Sequence, residues 1–252
     1  FYGLCLLNID DINTKSIINK ISRPIKTFGV DEKADYQAKS ICVDTIPAKY
    51  NYEEKGNLYE IKLNMPGKHN VMNSLAALSV ARELNVPIKV IQEALENFPG
   101  ISRRFEIVGE FKINKNTFIW VDDYGHHPTE MKEVLETIKN VWVNEKLVMV
   151  FQPHRYSRTA EHFNQFIDIL KNVDQLVLMD IYAASEKPLD NINSEAIVGE
   201  IKKYNKNVVL INKEEELSKY LDKIIDNKNI LLTMGAGNIS KFVNYYKKHL
   251  IQ

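Results

Sequence analysis

Phe118-Ile-Trp-Val-Asp-Asp-Tyr-Gly-His-His-Pro-Thr-Glu-Met131 decides how this chain is read. An apolar, strand-like run over 118–121 ends in two acids, a tyrosine, a glycine and two histidines, and Pro128 then opens a helical pattern that runs to Val141. Proline suits a first helical turn because the N–H it lacks would have no intrahelical partner there. In α/β proteins a strand-to-helix loop of this kind lies where ligands bind, at the carboxyl end of one strand and the amino end of the next helix. The plain structural alternative is a charged surface loop before a proline-started helix.

Working outward from that loop, the chain downstream repeats the same unit. A strand at Phe105–Phe111 precedes it. Leu147–Phe151 then leads to a helix around Ala160–Lys171, and Gln175–Ile181 to Ser194–Lys203. Val208–Ile211 leads to Glu214–Ile225, and Ile230–Thr233 to Ile239–His249. Leu147-Val-Met-Val-Phe151 is apolar at consecutive positions, as a strand covered on both faces requires. Repeated βα units of this length predict an α/β, Rossmann-like domain with a mostly parallel sheet and helices on both faces, over residues 104–252.

Residues 1–103 read as a separate region. Strands are expected at Gly3–Ile9, Ile25–Phe28, Gln37–Val43 and Leu58–Leu63, with a short helix near Thr14–Ile21. Pro66-Gly67 breaks the last strand, an Ala/Leu-rich helix begins near His69 or Asn70, and a further helix spans Pro87–Asn97. The opening Phe-Tyr-Gly-Leu, with no initiator Met, reads as the entrance to an internal strand and hence as a fragment of a longer chain.

Thirty-three basic and thirty-three acidic residues cancel, which removes any global electrostatic case for nucleic acid or an anionic membrane as partner. No apolar run approaches the roughly 20 residues that span a bilayer, and no signal peptide is expected from the opening residues. Cys5 and Cys42 stand alone in apolar runs without a CxxC pair, and read as reduced, buried thiols of a cytoplasmic protein.

Five groups could carry chemistry. Asn70 and Asn73, following His69, lie three apart on one helical face and could read a base or ribose edge; the alternative is N-capping by Asn70. Arg103-Arg104, at the boundary between the regions, could clamp a phosphate through two guanidinium forks. Asp122-Asp123-Tyr124-Gly125-His126-His127 is the opening loop; adjacent histidines diverge, which argues against one metal ion held by both. Phe151-Gln-Pro-His-Arg-Tyr-Ser-Arg-Thr159 offers His154, Arg155 and Arg158 as an anion site after a buried strand. Met234-Gly-Ala-Gly-Asn-Ile-Ser240 is a tight turn after the last strand; it lacks the third glycine of a dinucleotide fingerprint, so NAD chemistry has little support.

These groups, in this order, resemble the ATP-dependent Mur ligases of peptidoglycan synthesis. Gly67-Lys-His-Asn-x-x-Asn73-x-x-Ala-Ala, Arg103-Arg104-Phe105, Asp122-Asp123-Tyr124-x-His-His-Pro-Thr129, Phe151-Gln-Pro-His-Arg-Tyr-Ser-Arg-Thr159 and Gly235-Ala-Gly-Asn-Ile239 carry the likeness. The fourth narrows the likeness to the branch that joins L-alanine to UDP-N-acetylmuramate, and the last agrees with it. The resemblance implies that residues 1–103 are the end of the family's central ATP-binding domain and 104–252 its C-terminal ligase domain. It implies ATP and Mg2+ as cofactors, with no metal ligand in this chain. No Gly-rich Gly-Lys-Thr/Ser loop is present, so the phosphate-gripping segment, the magnesium-binding glutamate and the carbamylated lysine would lie upstream of Phe1. By resemblance, His69, Asn70 and Asn73 contact the nucleotide, with Arg104 and Asp123. Tyr124, His126, Arg155 and Arg158 wall the substrate site, and Asp123, Arg104 and His126 serve the reaction. Two alternatives stay open: a ligase that attaches a preformed tripeptide to the same UDP-sugar, and a standalone, non-enzymatic Rossmann-like binding module.

Overall fold

A computed structural model describes residues 3–251, so Phe1 and Tyr2, the head of the expected fragment-like start, lie outside the described residues. Cα proximity divides the chain into two units: residues through Gly100 with Thr137–Val141, and Ile101–Glu136 with Trp142 onward.

The first unit carries β1 (Cys5–Asn8), α1 (Ile12–Ile17), β2 (Ile25–Gly29), β3 (Tyr36–Cys42), β4 (Ala48–Glu54), β5 (Asn57–Leu63), α2 (Lys68–Glu83) and α3 (Ile88–Glu96). Its sheet runs β1-β2-β3-β4-β5, parallel from β1 to β3 and antiparallel from β3 to β5. The helix expected near Thr14–Ile21 starts earlier, because the Asp11 carboxylate caps it by accepting the Thr14 N–H at 2.6 Å; a 3-10 turn over Ile18–Lys20 follows. Strand β4 has no counterpart in the sequence reading. Ala48-Lys-Tyr-Asn-Tyr-Glu-Glu is polar and poor in β-branched residues, yet Ala48, Tyr50 and Tyr52 point inward at every second position. The hairpin to β5 closes through Lys55 (φ 51°) and Gly56 (φ 79°), the left-handed pair that a two-residue turn needs. Val71, Leu75 and Leu78 of α2 pack on this face with Ile61, Leu63 and the tyrosines.

The expectation of two buried thiols fails. Cys5 is half-buried, and Cys42 is exposed where β3 ends beyond an irregular register. Asn70 is not the cap of α2 either. The helix begins at Lys68 with Gly67 (φ 99°) as its cap, and Asn70, three positions in, donates from Nδ2 to Pro66 O at 2.8 Å. Asn70 is buried and Asn73 exposed, so the two amides do not present together.

The second unit carries β6 (Glu106–Ile113), β7 (Asn116–Asp123), α4 (Pro128–Val141), β8 (Leu147–Phe151), α5 (Tyr156–Glu161), α6 (Phe163–Leu170), β9 (Gln175–Leu178), α7 (Ser194–Ile201), β10 (Val208–Leu210), α8 (Glu214–Ile224), β11 (Asn229–Met234) and α9 (Ile239–Ile251). The sheet order is β10-β9-β8-β11-β7-β6, parallel throughout except for the antiparallel edge strand β6. Phe118, Trp120, Val148, Val150, Val177 and Leu231 pack against Leu217, Leu221, Phe242 and Tyr246 of α8 and α9. Phe151, on the opposite face of β8 from Val148 and Val150, rests 5.7 Å from Phe166 of α6. Helices therefore cover both faces, which is why the central strands read as unbroken apolar runs. The helix expected over 160–171 is broken in two at His162, whose ring turns in against His127 and Phe166.

Candidate functional site

Of the loops that leave the carboxyl ends of parallel strands in the second unit, four matter here: those after β7 (Tyr124–His127), β8 (Gln152–Arg155), β9 (Met179–Asn193) and β11 (Gly235–Asn238). Their side chains interlock around the opening motif.

The two acids at the end of β7 are buried and already paired. Asp122 accepts from Arg103 Nε at 2.8 Å and from Thr233 Oγ1 at 2.6 Å. Burial pushes its carboxyl up from the ordinary value, against the pull of the hydroxyl and the guanidinium. Asp123 is raised by burial too, while its oxygens accept the backbone N–H groups of Phe105 (2.7 Å) and Gly125 (2.6 Å). Asp123 thus shapes the loop from within; it does not face a ligand with a free oxygen pair.

The adjacent arginines part company. Arg103, with φ 59°, is tied to Asp122 and donates from Nη2 to Gly235 O at 2.6 Å. Arg104 is exposed and lies 3.6 Å from Glu130. Both guanidinium carbons sit 5.5 Å from the centre of the Tyr124 ring, which is half open to solvent. A joint phosphate clamp by the pair is therefore not what the fold builds; Arg104 alone is presented.

The histidine pair divides in the same way. His127 Nδ1 accepts the Thr129 N–H at 3.3 Å, capping α4, and its ring meets His162 at 4.6 Å. His126 instead stands edge-on to Tyr124 at 5.3 Å and 5.4 Å from His154. Glu130 accepts the N–H groups of His126 (3.0 Å) and His127 (3.2 Å). Burial works to raise the Glu130 carboxyl, but those two donors with His126 and Arg104 hold it below its ordinary value. The amino end of α4, the anion site anticipated from the loop's position, is thus filled by the helix's own third residue.

Arg155, on the β8 loop, is exposed with φ 70°, and Arg158, on α5, is half-buried with Nη1 3.2 Å from His154 Nδ1. His154 stacks on Tyr182 at 5.6 Å. Burial first, and then the nearby His126, Arg158 and Arg155, push the His154 imidazole below its ordinary value, so it is neutral near pH 7. The carboxylate of Glu186 accepts from Ser157 N (3.0 Å) and Ser157 Oγ (2.6 Å), anchoring the start of α5.

The glycines of the β11 turn are there for lack of room. A Cβ at Gly235 would stand 2.6 Å from Gln152 O, and one at Gly237 2.5 Å from Gln152 Oε1. Gln152 in turn donates to Asn238 Oδ1 and accepts from Ile239 N, joining the β8 and β11 loops.

The second unit therefore gathers Tyr124, His126, Arg155 and Arg158 into one loop cluster, with Arg104 at its Tyr124 edge. His69, Asn70 and Asn73 belong to the first unit, on the first turns of α2. Glu130, Tyr182, Glu186 and Gln152 escaped the sequence reading. Only Glu130 left a signal, as an acid three residues after a helix cap. Such an arrangement of two presented guanidinium groups, a neutral imidazole and a tyrosine suits a carboxylate-bearing ligand.

A model of the Mur ligase middle domain matches residues 2–81, and one of the Mur ligase, glutamate ligase domain matches residues 103–237. The chain is 43% identical over 242 residues to a UDP-N-acetylmuramate–L-alanine ligase of Vesicomyosocius okutanii, covering 95% of this chain and 52% of that protein. A ligase of the same name from Trichlorobacter lovleyi is 43% identical over 241 residues, with 95% and 52% covered. Among solved structures, the UDP-N-acetylmuramate–alanine ligase of Thermotoga maritima superposes with a TM-score of 0.72 at 31% identity, over 89% of this chain and 47% of that one. A murein peptide ligase of Psychrobacter arcticus gives 0.67 at 20% identity, over 98% and 51%, a likeness of fold alone. The chain spans about half the length of the curated relatives it matches.

Proposed function

This chain belongs to the Mur ligase family, and on that premise we propose that it is the end of the central domain and the C-terminal domain of an ATP-dependent UDP-N-acetylmuramate–L-alanine ligase. The observation that carries the reading is 43% identity along 95% of the chain to ligases of that name. In this reading ATP converts the carboxylate of UDP-N-acetylmuramate to an acyl phosphate. The amine of L-alanine attacks it, and a tetrahedral intermediate collapses to amide and phosphate. The division 1–103 and 104–252 and a cytoplasmic location are parts of the same proposal. Among the described residues no helix is long and apolar enough to cross a membrane.

The roles follow from the chemistry of the side chains. Arg155 and Arg158 bind carboxylate oxygens, as a small zwitterion's selection requires. Tyr124 and His126 wall the space beside them. Arg104, the presented member of its pair, serves phosphate charge as it develops. Asp123 acts as a positioning residue through Phe105 N and Gly125 N. On the first unit His69 and Asn73 are the nucleotide contacts of this reading, and Asn70, buried and donating to Pro66 O, holds the start of their helix. The described residues contain no group of three or more His, Cys, Asp or Glu able to hold a metal ion.

The test is ADP release by the full-length enzyme given ATP and UDP-N-acetylmuramate, with L-alanine or with a tripeptide as acceptor. Release that depends on L-alanine is expected; a preference for the tripeptide overturns the assignment in favour of the recycling ligase.

A further inference from the structure

His126 and His154 face one another with rings 5.4 Å apart, and the partners of their Nδ1 atoms dictate opposite tautomers. His126 Nδ1 lies 3.0 Å from Tyr124 O. A carbonyl can only accept, so His126 carries its proton on Nδ1 and leaves a lone pair on Nε2. His154 Nδ1 lies 3.2 Å from Arg158 Nη1. A guanidinium can only donate, so His154 carries its proton on Nε2.

We propose that the two imidazoles divide the amide-forming step, His126 Nε2 taking a proton from the incoming amine and His154 Nε2–H donating to the oxygen that gains charge. This rests on the ligase reading above and assigns roles that reading leaves open. The surroundings agree with the division. Burial, with the Arg158 and Arg155 guanidinium groups and against Glu186, holds the His154 imidazole below its ordinary value, which favours the neutral Nε2–H donor. Glu130, whose carboxylate accepts the backbone N–H of His126, stands on the His126 side beside Arg104.

The step balances. One proton moves from the alanine ammonium to His126 Nε2, and the freed nitrogen lone pair forms the C–N bond to the acyl carbon. The carbonyl electron pair moves onto oxygen, where His154 Nε2–H meets it. Collapse re-forms the C=O bond and breaks the C–O bond to phosphate, which leaves with its electron pair and takes the second amine proton. His126 then returns its proton to solvent.

Two measurements on the full-length enzyme test this. Nitrogen-15 NMR of histidine-labelled protein near pH 7.5 should show His126 protonated at Nδ1 and His154 at Nε2; the reverse assignment at either ring overturns the proposal. In alanine-dependent turnover, His126→Gln should lose about 100-fold in kcat or more. His154→Ala should lose about 100-fold, and His154→Gln, which keeps an N–H donor, should recover at least a tenth of the wild-type rate. A His126→Gln enzyme that keeps its rate, or a His154→Gln enzyme no better than His154→Ala, sinks the division of roles. Wild-type protein without any alanine-dependent turnover would sink the ligase reading itself, which the NMR result does not depend on.

Discussion

Arg103 Nε stands 2.8 Å from the buried Asp122 Oδ2, and the same guanidinium donates to Gly235 O. One side chain therefore pins the loop before β6 to the ends of β7 and β11. Arg103→Ala would leave the Asp122 carboxylate buried with Thr233 as its remaining side-chain partner. A loss of about 3 kcal/mol in unfolding free energy is expected, with Arg103→Lys intermediate because a single ammonium cannot reproduce the fork. Denaturant unfolding checks it, and a change under half of that figure would show the pin to be dispensable.

The pH dependence of Asp122 has a definite sign. Burial raises its carboxyl above the ordinary 3.8, so the folded state holds a proton that the unfolded chain has already released. The group's stabilising contribution is complete below the unfolded value and is lost as pH rises through the folded one. Relative to Asp122→Asn, the wild type should therefore lose stability as pH climbs from about 4 through the mildly acidic range. Glu130 is shifted the other way; its contribution is present above its ordinary value and fades as pH falls, so Glu130→Gln should flatten the acid side of the curve. Unfolding curves at stepped pH read both slopes.

Two glycines should respond oppositely to alanine. At Gly235 (φ 144°) a Cβ would meet Gln152 O at 2.6 Å, so Gly235→Ala should cost about 2 kcal/mol or more. Gly199, inside α7, has nothing within 4 Å of a new Cβ; there alanine should stabilise by about 0.5–1 kcal/mol. Melting temperatures of the pair test the contrast directly.

Glu186 holds Ser157 by two hydrogen bonds and so sets the start of the helix that bears Arg158. On the proposed ligase reading, Glu186→Ala in the full-length protein should raise KM for L-alanine on the order of 10-fold through misplaced guanidinium groups, with KM for ATP unchanged. Equal effects on both substrates would mean that the change acts on the fold as a whole.

Much of this arrangement can be seen in the order of the residues. The apolar runs at Leu147–Phe151 and Ile230–Thr233 announce strands covered on both faces, and Pro128 marks the start of α4 to the residue. Strand β4 was hidden because its inward positions are Ala48, Tyr50 and Tyr52, amid residues that disfavour strands. The break at His162 was hidden because Ala160–Lys171 keeps helical periodicity across it. Glu186 sits in an irregular loop, where spacing carries no information about partners.

The sequence by itself determined the βα rhythm of the second unit, the place of the loops at strand carboxyl ends, and the motifs that carry family membership. Local periodicity and turn chemistry suffice for these. Only the tertiary structure decided which member of each pair does what: Arg103 as pin and Arg104 as presented cation, His127 as helix cap and His126 as partner of His154. Neighbours in sequence leave an extended backbone in divergent directions, so their environments are set by residues up to 132 positions away, as Gly235 is from Arg103. Burial and hydrogen-bond partners, which no spacing rule supplies, then assign each group its charge and tautomer.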